Sequence, residues 1–112
     1  VTSFAPRLSE RDFARQVADL ATLLGWSYLH LRPGVNRRGR WQVPVEGPLG
    51  AGWPDFFALR PRDGRRLVAE LKRDGARPTA DQVAILAAFE ACGFETFLWY
   101  PADFDEIQAV LR

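Results

Sequence analysis

Residues 55–72 read DFFALRPRDGRRLVAELK, two apolar runs joined by a short polar connection. Residues 55–60 and 66–72 are rich in Phe, Leu and Val, and Pro61-Arg62-Asp63-Gly64-Arg65 between them contains an Asp-Gly turn signal. The stretch therefore predicts a β-hairpin of two antiparallel strands. Side chains alternate along a strand, so Leu67, Ala69 and Leu71 face one way and Val68, Glu70 and Lys72 the other. Glu70 and Lys72 then lie about 7 Å apart on one face. A carboxylate and an ammonium at the end of an otherwise apolar strand are costly to bury unless paired or used. Asp55, at the start of the neighbouring strand, can converge on both across the hairpin.

Outward from the hairpin, Pro78-Thr79 followed by Gln82 has the form of a capping box. It predicts a helix over 79–92 stopped by Gly93, long enough to bring a buried strand at 95–100 back parallel to 66–72. A last helix is expected over 103–111. Upstream, Ser9 and Asp12 precede Phe13, Val17, Leu20 and Leu24, the period of an amphipathic helix over 10–24 closed by Gly25. A strand follows at 26–31, ending at Pro33-Gly34. Residues 32–52 are rich in Gly, Pro and Arg and read as a long loop, with a short extended piece around 41–45. The order helix, three strands, helix, strand, helix predicts an α/β domain: a mixed, central four-stranded sheet with helices on both faces.

The chain has 112 residues, 47% hydrophobic and 26% charged, which supports one core and a single domain over 1–112. A single cysteine forms neither an internal disulfide nor a cysteine-based zinc site, and Cys92, in the apolar stretch around Ala91, is expected to fill the core. No apolar run approaches the roughly 18 residues of a membrane span, and residues 1–10 lack a signal-peptide pattern. A soluble, cytoplasmic protein with no membrane partner is expected. The absence of methionine suggests a chain processed or cut from something larger.

The net charge of +1 conceals a gradient: residues 1–31 are neutral, 32–77 carry +6 and 78–112 carry −5. A basic middle segment suits a phosphate-binding face, although an arginine-rich composition scattering solvated charges gives the same tally. Fourteen of the fifteen basic residues are arginine; the exception is Lys72. Two carboxylates and a lysine in one small space suit Mg²⁺, with Mn²⁺ able to substitute, together with a water and phosphate oxygens. A structural ion pair, Glu70 with Lys72 or Asp55 with an arginine, is the competing account of the same residues.

Gly52-Trp53-Pro54-Asp55, then Glu70-Leu71-Lys72, is similar to the Pro-Asp and acid-x-lysine signature of restriction-endonuclease-like and Holliday-junction-resolvase-like nucleases. The order of Glu10 on a first helix, Gly25-Trp26 closing it, the Gly-x-Pro-Asp, the Glu-x-Lys and Thr79-x-x-Gln82 more closely resembles the VRR-Nuc domain, over about residues 10–111. The resemblance implies a restriction-endonuclease-like three-layer α/β/α fold and a Mg²⁺-dependent DNA endonuclease leaving 5′-phosphate and 3′-hydroxyl ends. It further implies selectivity for branched DNA such as Holliday junctions, in repair or recombination, and action as a homodimer.

On the resemblance, Asp55 and Glu70 bind the metal with the Leu71 carbonyl facing it, and Lys72 acts on the attacking water. Glu10 completes the metal site, directly or through water; a first-turn carboxylate favoured by the helix dipole is the alternative. Gln82 matches a glutamine near the catalytic centre, and a capping-box partner explains it equally well. His30 is expected near phosphate or as an ordinary hydrogen-bonded edge group. Arg37, Arg38 and Arg40 are candidates for DNA-backbone contact and Trp41 for base stacking, against a merely solvated loop. The arginines of 32–40 and 60–66 are expected to supply salt-sensitive affinity. Two other readings remain: a non-catalytic nucleic-acid-binding module, and a nuclease domain detached from a larger repair or restriction protein.

Overall fold

The computed structural model describes residues 8–31, 34–35, 41–42 and 46–112. Helix α1 spans Glu10–Leu23, where the Ser9 hydroxyl accepts from the Asp12 N–H at 3.1 Å and Phe13, Ala14, Val17, Ala18 and Ala21 form the buried stripe. Gly25, at φ +87°, turns the chain into β1, Ser27–His30. Next come β2 (Gly34–Val35) and β3 (Trp41–Gln42), paired antiparallel. A single 3-10 turn at Gly50–Gly52 precedes β4 (Phe56–Arg60). A second, at Pro61–Asp63, ends at Gly64 with φ +71° and leads into β5 (Arg65–Leu71). The chain then forms α2 (Ala80–Ala91), β6 (Glu95–Trp99) and α3 (Phe104–Leu111).

The main sheet runs β1-β4-β5-β6, antiparallel except for the parallel β5–β6 pair, as the hairpin and crossover helix require. On one face, Phe13, Val17 and Ala21 of α1 and Ile107 and Leu111 of α3 pack with Phe56, Ala58, Leu67, Ala69, Leu71 and Trp99. Each large apolar side chain so buried contributes about 1.5–3 kcal/mol. Alternation turns Val68 and Glu70 to the opposite face, where α2 lies and Trp53, Phe57, Phe89 and Phe94 stack with ring centroids 5.0–6.2 Å apart. The structure is thus an α/β unit with a mixed four-stranded open sheet and helices against both faces.

Several expectations change. The long loop contains the β2–β3 pair, and its extended piece is realised at Trp41–Gln42, with 43–45 outside the described residues. Of β6, expected to be buried, only Trp99 is fully so, because β6 is an edge strand. Cys92 is exposed at the C-terminal cap of α2 and does not fill the core; α2 touches the sheet along one flank and buries no residue completely. No described helix is long and apolar enough to cross a membrane.

Two arginines of the hairpin, Arg60 and Arg65, differ from the expectation of DNA affinity. Arg60 is 3% exposed and donates to Asp63 and to the carbonyls of Leu24, Leu111 and Arg112, its guanidinium 4.7 Å above the Trp26 ring. Arg65 grips Glu95 through two hydrogen bonds of 2.7 and 2.9 Å and lies over the same indole. The Trp26 Nε1–H in turn donates to the Leu111 carbonyl at 2.9 Å. Arg60 and Arg65 therefore fasten one end of the sheet; Asp55, Glu70 and Lys72 lie at the other, about 17 Å away by strand rise.

Candidate active site

The β4–β5 register pairs Phe56 with Ala69 and brings Asp55 beside the last residues of β5. Asp55 Oδ2 accepts from the Leu71 N–H at 3.1 Å, and the Asp55 carbonyl accepts from the Leu31 N–H at 2.9 Å, so the residue is fixed from both sides. The N–H and C=O of one strand residue point to the same edge, which turns the Leu71 carbonyl toward Asp55 as well. The approach to Asp55 depends on Gly52. A Cβ there would lie 2.6 Å from the Asp81 carbonyl carbon and 2.9 Å from Ile85 Cγ1, so only glycine lets this segment rest against α2.

Glu70 is completely buried on the α2 face. Its Oε1 accepts from Gln82 Nε2 at 3.0 Å, whereas its Oε2 has no hydrogen-bond partner. Burial first, and then the adjoining Asp55 carboxyl, pushes the Glu70 carboxyl up to about 9; Lys72 opposes this and the Glu10 charge adds to it. Protonated, Glu70 has a proton to share with Asp55. Ionised, it presents a buried lone pair that a cation would satisfy.

Lys72 is half-buried just past the end of β5, where its N–H donates to the Trp99 carbonyl at 3.0 Å. Neither Glu70 nor Asp55 forms an ion pair with Lys72 or an arginine among the described residues, where the ion pairs are Arg60–Asp63 and Arg65–Glu95. Among the described residues the structural ion-pair account of these carboxylates is not realised. Glu10 opens α1 on the same side, and its carboxyl is raised by burial and by Asp55, against Lys72 and Arg73. Asp55, Lys72 and Arg73 thus all lie within electrostatic reach of Glu10. Gln82 holds both expected roles at once: its Oε1 accepts from the Thr79 N–H at 2.9 Å to complete the capping box while its Nε2 holds Glu70.

As a metal site the donor set is small. Among the described residues no group of three or more His, Cys, Asp or Glu side chains is arranged to hold an ion. Glu10 lies on the same side as Asp55 and Glu70 without joining them in such a group. Asp55 and Glu70 remain, and Mg²⁺ is commonly bound through one or two carboxylates with waters and phosphate oxygens completing its octahedron, so the orphaned Glu70 Oε2 beside Asp55 fits such an ion.

His30 pairs with Phe56, one residue from Asp55, at the end of β1. Arg37, Arg38 and Arg40 lie outside the described residues, and Trp41 is described as a strand residue opposite Val35. Sequence reasoning passed over Arg73, whose charge reaches Glu10; its position next to Lys72 was the available signal. No family model, curated protein or solved structure matches this chain.

Proposed function

We propose that this chain is a Mg²⁺-dependent DNA endonuclease with the restriction-endonuclease-like fold. The observation that supports it best is Glu70: a fully buried carboxylate with one unsatisfied oxygen, set beside Asp55 and two residues before the chain's only lysine. A binding surface for phosphates gains nothing from facing them with carboxylates. In this reading Asp55 and Glu70 hold the ion, which supplies charge neutralisation at the scissile phosphate and acidifies a water. The Leu71 N–H fixes the orientation of Asp55, and Gln82 that of Glu70. Lys72, unpaired with either acid, positions the attacking water and offsets developing negative charge. Glu10 completes the metal site, directly or through water.

Branched DNA as the preferred substrate and a homodimer as the working form belong to the same reading. The outward face of α2, with Val83 53% exposed and Ala84, Ala87, Ala88 and Ala91 also exposed, supplies apolar surface of the kind such pairing needs. The test is cleavage of a labelled four-way junction and of linear duplex, with and without Mg²⁺. Wild-type protein is expected to cut only with the metal, and Lys72→Ala and Asp55→Asn to lose at least about 100-fold in rate. Binding without metal-dependent cleavage would replace the enzyme with a binding module. Equal cutting of both substrates would remove the branched-DNA preference.

A further inference from the structure

Beside the site, α1 and β1 enclose a cleft of about 670 Å³. It exists because the flank of α1 facing β1 carries Ala14 and Ala18, whose small buried side chains leave a trough where larger ones would close it. Arg11 and Arg15 stand on the rim, one helical turn and about 6 Å apart along the axis. Both are exposed, and neither is ion-paired to a described acid. The opposite wall is β1, with His30 and with Tyr28, which stacks on Phe56 at 5.4 Å.

The trough has a direction. At one end Arg11 follows Glu10, and His30 pairs with Phe56, the neighbour of Asp55. At the other it reaches Asp19, a negative charge. The positive rim therefore begins at the Asp55 end of the sheet and stops after two arginines.

We propose that this trough binds the nucleic-acid backbone immediately beside the scissile phosphate, with Arg11 and Arg15 gripping one or two non-reacting phosphates and Asp19 ending the track. The inference rests on the nuclease reading above and assigns its substrate path. Guanidinium groups present paired donors matched to phosphate oxygens, and an extended phosphate chain is the ligand that a narrow trough with a cationic rim suits. An acidic peptide would also be drawn to the rim, but it has no reason to lie at the same end of the sheet as a site for phosphoryl chemistry.

The experiment measures binding of a fluorescein-labelled DNA duplex to the full chain by anisotropy across a salt series, with Ca²⁺ in place of Mg²⁺, and cleavage with Mg²⁺. Arg11→Gln with Arg15→Gln is expected to make the slope of log affinity against log salt shallower by about 1 to 2. Arg11→Lys with Arg15→Lys should restore most of it. Asp19→Asn should bind severalfold more tightly. Arg112→Gln, at the far end of the sheet, should leave the slope unchanged. Circular dichroism confirms that each variant is folded. If the wild type binds and cleaves but the Arg11/Arg15 glutamine pair keeps its slope, or if the far-end variant lowers it equally, the trough assignment falls and the nuclease reading stands. If the wild type neither cleaves DNA nor binds it in a salt-dependent way, both fall.

Discussion

Glu70 makes the stability of the metal-free protein depend on pH in an unusual direction. Its carboxyl holds a proton up to about 9 in the fold and to an ordinary value near 4.5 in the unfolded chain. Between those values the folded state binds more protons, so stability is complete below about 4.5 and is lost as pH rises toward 9, by at most about 1.4 kcal/mol per pH unit. Glu10, also raised, adds a smaller change of the same sign. Thermal melts in chelator should show a midpoint falling through this window, flattened in Glu70→Gln, and Mg²⁺ should restore the lost stability at alkaline pH in the wild type only. A flat wild-type profile would mean that Glu70 is solvated or paired in solution. The alternation of residues 66–72 makes the shared face of Glu70 and Lys72 readable in sequence. What it cannot show is that the two do not pair, because the group that holds Glu70 lies twelve residues later, on a helix across the sheet face.

At the scale of elements, α2 joins the fold to the site. Its capping box is legible from Thr79 and Gln82, but the reach of the same glutamine to Glu70 depends on the angle at which α2 crosses β5. Gln82→Ala should cost about 0.3–1.5 kcal/mol through the cap and also free Glu70. Gln82→Glu retains an acceptor for the Thr79 N–H but sets a carboxylate against a carboxylate, so it should depress cleavage more than it depresses the melting midpoint. Comparing both readouts for both variants separates the two roles. Gly52→Ala should destabilise by about 1–3 kcal/mol and slow cleavage as well, since backbone and Ile85 on α2 must yield to the new methyl and Asp55 is three residues away. Cys92 shows where pattern reading fails. The apolar composition of α2 continues around the whole helix, so periodicity gives no signal for which flank meets the sheet.

For the molecule as a whole, the charge gradient identifies the basic third of the chain but not which of its arginines face solvent. Arg60 ends a strand and looks like its neighbours in sequence, yet it gathers the end of α1, the β4–β5 turn and the C-terminal end of α3. Arg60→Met should cost about 3 kcal/mol in denaturant unfolding, by stranding buried carbonyls, while leaving the salt dependence of DNA binding unchanged. The element order and mixed sheet were readable because turns, caps and crossover length are local signals. The division of arginines between fastening the fold and facing solvent was not, because it depends on which end of the sheet each one reaches. The Leu31–Asp55 hydrogen bond adds a consequence for divergence. It pins together the two points between which the chain departs from the sheet and returns to it, beside the acids. Doubling the length of such an excursion costs only about 0.6 kcal/mol of closure entropy. In the nuclease reading, descendants of this sequence can therefore exchange the intervening segment while inheriting Asp55 and Glu70 unchanged.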